Sequence, residues 1–87
     1  MSALPVPIDL RFRQARTAAR KALRQRVDDE TYLLGRELEL LAVADRYDLA
    51  GVAEAVESVD RLRRAVGLRR DLIRRLEAEL ATPGGED

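Results

Sequence analysis

The spacing of apolar and polar positions along the 87-residue chain predicts an all-α fold. Between Pro7 and Pro83 there is no proline, and apolar residues recur at steps of three or four instead of the alternation typical of strands. Ala and Leu supply 27 of the 40 apolar residues, so the core is thin. We therefore expect a helical hairpin or a three-helix bundle that is completed by oligomerisation or by a partner.

The chain is expected to form one domain over residues 9–81, with helices at about 10–27, 29–47 and 49–81. A flexible arm is predicted over residues 1–8 and a disordered tail over 82–87, where Pro, Gly and Gly follow one another. Asp28 opens an acidic run that could start a new helix, but no Gly or Pro breaks the chain there. One continuous helix over about residues 10–47 fits the pattern as well as two. Asp48 is the best N-cap candidate for the last helix.

The clearest repeat lies in the last predicted helix. Val52, Val59, Val66, Ile73 and Leu80 recur every seven residues, and companion positions three residues later are apolar except at Arg69. This spacing is typical of a coiled-coil seam, but apolar flanking residues widen the face, so we expect packing against more than one neighbour. Together with the apolar segment 32–44, the repeat predicts an interface formed by Leu34, Leu38, Leu41, Val52, Val59, Leu62, Val66, Ile73 and Leu76.

Charge is segregated along the chain although the net charge is zero. Residues 1–27 carry +6, residues 28–60 carry −8 and residues 61–87 carry +2. The favoured interpretation is that the basic first stretch lies alongside the acidic middle one within the fold. A phosphate-facing surface and a helix lying on a membrane surface are the alternatives.

The residue types that are absent restrict the chemistry. With no His and no Cys, the chain excludes Cys/His zinc sites, Cys–His nucleophiles and Ser–His triads. We expect no cofactor and no metal, and we expect the acidic residues to be solvated surface groups. The longest apolar run, Leu40 to Ala44, is too short for a transmembrane segment, and the N-terminus lacks signal-peptide features. A cytoplasmic, non-enzymatic protein is therefore predicted.

These features predict a non-catalytic helical protein–protein interaction module, such as a small adaptor, assembly factor, chaperone or regulatory subunit. The expected partner is the chain itself, as a homodimer or higher oligomer, or another helical protein. Such a module acts by burying its amphipathic helix faces.

Two resemblances supply alternative functions. The segment from Leu62 through Gly67 to Leu76 resembles a DNA-binding helix-turn-helix, which implies a regulator with a turn at Gly67. The same apolar positions also fit one helix that continues through Gly67. Separately, the stretch LLGRELELLAVADRYDLA is similar to the long helix of helical chorismate mutases. This likeness implies a small all-α homodimeric enzyme acting on an anionic metabolite, with Arg36 and Arg46 as anion-binding candidates. In the DNA-binding alternative, the residues that meet nucleic acid are Arg69, Arg70, Arg74 and Arg75.

Overall fold

The fold is a two-helix hairpin, seen in a computed structural model that describes residues 8–82. Helix α1 spans Ile8–Arg46, and helix α2 spans Val56–Ala81. No strand occurs among residues 8–82, so the all-α prediction is confirmed, and the hairpin is the predicted architecture that the chain adopts. Ile8 belongs to α1 rather than to the predicted arm. The rest of that arm and residues 83–87 of the predicted tail lie outside the described residues.

Helix α1 runs without a break through the acidic segment at residues 28–31. Two side-chain bonds bridge successive turns there: Gln25 donates to Asp29 at 2.9 Å, and Arg26 donates to Glu30 at 2.8 Å. Pairs at i and i+4 lie on the same helix face and stabilise the helix. Asp28 is therefore an interior residue, and the first two predicted helices are one.

The connection between the helices spans residues 47–55. Asp48 has a left-handed backbone conformation (φ 53°), which is typical of the residue that follows the end of a helix. A short 3-10 turn follows at Leu49–Gly51, and Val52 is extended. The last helix begins at Val56 and not at residue 49. Asp48 makes no side-chain capping bond, so its predicted role as the N-cap of that helix is wrong.

The two helices meet along a seam of heptad-spaced positions. In α1 every buried or half-buried residue belongs to this set, and in α2 the set repeats the predicted heptad. The buried apolar residues of the described chain are only Ala44, Val59, Val66 and Ile73, and each keeps a small exposed fraction. The seam consists of Arg20, Leu23, Val27, Glu30, Leu34, Glu37, Leu41 and Ala44 on α1, of Ala55 just before α2, and of Val59, Leu62, Val66, Arg69, Ile73, Leu76 and Leu80 on α2.

Helix α1 extends past the C-terminal end of α2. The guanidinium of Arg20 donates to the carbonyl oxygens of Leu80 and Thr82, which lie at that end. A cation at this position satisfies helix carbonyls that have no partner within the helix. Residues 8–19 therefore form an overhang that is about 18 Å long at 1.5 Å per residue.

This arrangement corrects the interpretation of the charge pattern. The basic and acidic stretches follow each other along one helix, so they cannot lie side by side within the chain. In α1, residues 8–27 carry +6 and residues 28–46 carry −4. In the register set by the contacts of Arg69 with Glu30 and Glu37, residues 56–75 of α2 carry +4 and lie beside residues 28–47, and residues 76–82 carry −2 and lie beside residues 21–27. Helix α2 therefore compensates the acidic half of α1 and leaves a net positive charge on the basic half.

Candidate interaction surface

A cluster of charged side chains interrupts the apolar seam at mid-height. Arg69 donates from Nε and Nη2 to the two carboxylate oxygens of Glu37, at 2.8 and 3.1 Å, and from Nη1 to Glu30. Arg26 adds a further bond to Glu30. The two-fold contact with Glu37 has the fork geometry that makes arginine–carboxylate pairs specific. The cluster fixes the register of the hairpin, because it places Arg69 at the level of Leu34.

These contacts perturb the ionisation of both sides of the cluster. The hydrogen bond from Arg26, followed by that from Arg69, lowers the pKa of Glu30 below its ordinary value, although burial opposes the shift. The hydrogen bond to Glu37, followed by that to Glu30, raises the pKa of Arg69. Both groups are therefore charged at neutral pH, and the cluster serves to align the helices.

A second heptad-spaced stripe runs along α1 and is not covered by α2. We call it the outer stripe. Its spacing places it about 110° around the helix from the seam, at 3.6 residues per turn. Nine of its twelve positions are apolar, and all twelve are exposed. The outer stripe consists of Ile8, Phe12, Ala15, Ala19, Ala22, Arg26, Asp29, Leu33, Arg36, Leu40, Val43 and Tyr47.

Helix α2 extends the apolar surface beside the outer stripe. The seam register brings Ala65 near the level of Leu40, and Leu72 near that of Leu33, on the same side of the hairpin. Leu68, with 70% of its area exposed, lies next to Ala65 and Leu72 on α2. These three residues of α2 line a shallow groove together with Arg69. The opposite side of the hairpin is more polar, as shown by the contact at 4.0 Å between Arg63 and Asp45. One side of the hairpin is therefore apolar, and the other is largely charged.

The predicted interface residues divide between two places. Seven lie in the seam, where the other helix of the same chain covers them: Leu34, Leu41, Val59, Leu62, Val66, Ile73 and Leu76. Leu38 is exposed on the polar side, and Val52 is exposed in the connection. The residues available to a partner are instead those of the outer stripe. The sequence pattern marks residues 32–44 as an apolar segment, but it does not by itself show that four residues of the outer stripe lie on or next to this segment: Leu33, Leu40, Val43 and Tyr47.

The predicted nucleic-acid residues also divide. Helix α2 runs straight through Gly67, where an added Cβ would meet no atom within 4 Å, so the turn of a helix-turn-helix is missing. Arg69 is engaged in the seam. Arg70, Arg74 and Arg75 are exposed, and Arg74 contacts Asp71 at 3.4 Å.

The candidate anion-binding residues of the enzyme alternative do not converge. Arg36 and Arg46 are both exposed on α1, and ten residues separate them, which is about 15 Å along the helix. Within residues 8–82 there is no group of three or more acidic side chains able to hold a metal ion. Neither α1 nor α2 is long and apolar enough to cross a membrane.

Comparison of the chain with protein-family models, with curated proteins and with solved structures yields no significant match. The function must therefore be argued from the surface itself.

Proposed function

We propose that the protein is a non-catalytic helical interaction module that works by burying the outer stripe of α1 against another helix. The observation that carries the proposal is the stripe itself, with nine apolar residues in twelve heptad positions, all of them exposed. A helix with apolar residues on two faces needs a neighbour on each face. Helix α2 covers the seam, so the outer stripe requires a neighbour from outside the hairpin.

The size of the exposed surface supports this proposal. Six large apolar side chains lie on the outer stripe, and Leu68 adjoins them, each between 40% and 70% exposed. At about half of the roughly 200 Å² of a large side chain, these seven contribute about 700 Å². A specific protein–protein interface of standard size buries about 800 Å² on each partner. The available apolar surface therefore matches what a specific complex needs.

Leucine-to-glutamate substitutions test the proposal. Leu40→Glu places a charge in the outer stripe, whereas Leu38→Glu places the same charge on the opposite side of the same helix. We expect the wild-type chain to sediment above its monomer mass of 9.8 kDa at micromolar concentration, or to co-purify in stoichiometric amounts with another protein. Leu40→Glu should abolish that association, and Leu38→Glu should preserve it. A wild-type chain that is a stable, well-folded monomer without a partner would refute the proposal.

DNA binding is the second candidate, and one observation favours it. Arg70, Arg74 and Arg75 are exposed on α2, and the residues that follow them lie beside the basic segment 20–27 of α1, as the contact between Arg20 and Leu80 shows. These groups could contact phosphates without entering a groove. Retention of a DNA duplex at about 50 mM salt, falling steeply as salt rises, would support this function. No retention at that salt concentration would exclude it.

A further inference from the structure

We infer that the outer stripe binds the same stripe of a second copy of this chain, with the two α1 helices antiparallel. The two-fold axis passes between residues 27 and 28. Each residue of one copy therefore faces the residue of the other copy for which the two residue numbers add up to 55. This inference rests on the proposed function and names the partner. It follows from the size, the charge and the length of the surfaces on α1.

The outer stripe is complementary to itself in size when it is reversed about that point. Each of the three alanines in the N-terminal half meets a long side chain in the C-terminal half, the outermost pairs join large apolar residues, and the two charged residues beside the axis have opposite signs. Such self-complementarity is the requirement for a two-fold symmetric interface. The pairs are Ile8 with Tyr47, Phe12 with Val43, Ala15 with Leu40, Ala19 with Arg36, Ala22 with Leu33, and Arg26 with Asp29.

Charge complementarity favours the same orientation. An antiparallel pair places residues 8–27, with +6, beside residues 28–46 of the second copy, with −4. A parallel pair would bring like charges together along the full length of α1. Opposite charges across an interface favour the correct register and disfavour the wrong one. The antiparallel orientation therefore keeps the basic halves of the two copies apart.

The overhang of α1 gives the ends of this dimer a third helix. Residues 8–19 of one copy lie beside residues 36–47 of the other, and the seam register places residues 56–67 of α2 at the same level. The overhang then occupies the apolar side of the hairpin, next to Ala65 and Leu68. The angle of about 110° between the seam and the outer stripe suits a helix that has two neighbours in a bundle.

Cysteine cross-linking tests this pairing, because the chain contains no native cysteine. Two single variants, Ala15→Cys and Leu40→Cys, are oxidised separately and as a mixture. In the antiparallel dimer residue 15 faces residue 40, whereas two copies of residue 15 are separated by about 37 Å along the axis. A disulfide needs Cα atoms within about 7 Å. We expect a cross-linked dimer in the mixture and none in either variant alone.

A matched pair of variants controls for random collision. Thr17→Cys and Leu38→Cys also sum to 55 and lie at the same height on α1, but on the side opposite the outer stripe. Both positions are exposed, so their thiols are reactive, and their mixture should give no cross-link. Circular dichroism and sedimentation of each reduced variant establish that it is folded and assembled as the wild-type chain is.

The outcomes separate this inference from the proposed function. Cross-links within Ala15→Cys alone or within Leu40→Cys alone overturn the antiparallel pairing. The pairing is also overturned if the wild-type chain is a dimer but the folded variants at positions 15 and 40 form no more disulfide than the control pair. Association of the chain only with a different protein overturns it as well. In each of these cases a helical interaction module remains. A folded wild-type monomer with no partner overturns both.

Discussion

The substitution Arg69→Leu separates two views of the seam. By the heptad alone, leucine at this position completes an apolar column on α2 and should stabilise the hairpin. The structure predicts the opposite. Removal of the guanidinium leaves the carboxylate of Glu37 facing an apolar seam without its two hydrogen bonds from Arg69, and leaves that of Glu30 with Arg26 alone. We therefore expect Arg69→Leu to destabilise the protein.

The magnitude follows from the contacts and the exposure. Loss of one partner of a fully buried ion pair costs about 3–5 kcal/mol. The side chain of Arg69 is 24% exposed and that of Glu37 is 16% exposed, so water and side-chain rearrangement recover about half of this cost. Burial of the new leucine returns about 1 kcal/mol. The net loss is about 0.5–1.5 kcal/mol, which lowers the melting temperature of a domain of this size by about 2–12 °C.

Urea unfolding at neutral pH, followed by far-ultraviolet circular dichroism, measures this difference. Arg70→Leu is the control, because Arg70 is the exposed neighbour on the same helix. A triple variant that replaces Arg69, Glu30 and Glu37 together with leucine should recover the lost stability or exceed the wild type, since no unpaired charge is then left in the seam and Arg26 is exposed to solvent. If Arg69→Leu is as stable as the wild type, the cluster does not hold the helices in register and the reasoning fails.

Three further predictions follow from individual positions. Ile73→Ala should cost about 2–3 kcal/mol because Ile73 is buried in the seam, whereas Tyr32→Ala, at an exposed position, should change the unfolding free energy by less than about 0.5 kcal/mol. Gly67→Ala should stabilise the protein by about 0.5–1 kcal/mol in urea unfolding, because the position is helical and open; a loss of stability would indicate a turn. The lowered pKa of Glu30 means that the unfolded state binds its proton first as the pH falls. The contribution of the Glu30 carboxylate to the unfolding free energy is thus complete above pH 4.5, and it is lost as the pH falls through the lowered pKa of the folded state. In a series of unfolding measurements at decreasing pH, Glu30→Gln should therefore lose less stability than the wild type.

The seam on α2 could be predicted from the sequence, but its counterpart on α1 could not. In the first part of α1 the apolar residues Phe12, Ala15, Ala19, Leu23 and Val27 follow one another at steps of three or four, which is the spacing of a single helix face. In the structure the first three belong to the outer stripe and the last two belong to the seam. The step of four residues from Ala19 to Leu23 crosses from the outer stripe to the seam. Steps of three and of four both lead to a nearby position on the helix surface, so spacing alone does not separate two neighbouring stripes.

The packing of α2 against α1 could not be predicted from apolar spacing alone, because polar residues occupy part of the seam. Glu30, Glu37 and Arg69 occupy seam positions in which a sequence pattern expects apolar residues. Each alone indicates a solvated position, and only the pairing across the hairpin shows why all three are tolerated. The sequence also left undecided whether residues 10–47 form one helix or two. The single helix is supported by local side-chain bonds such as the one between Gln25 and Asp29, which the pattern of apolar residues does not show. The ends of the last helix depend on backbone angles, which the residue types at Asp48 and Val52 do not determine.

Helix α2 cannot cover both the seam and the outer stripe of α1. A helix of 39 residues has one neighbour, α2, which covers a single face and reaches only to the level of Arg20. The outer stripe continues beyond that level to Ile8, so no rearrangement of α2 on the same helix could cover its whole length. The segregated charge favours the reversed direction, because α2 compensates only the acidic half of α1 and the two basic halves would repel each other in a parallel pair. A second α1 in the reversed direction is long enough to cover the stripe and carries the opposite charge at each end.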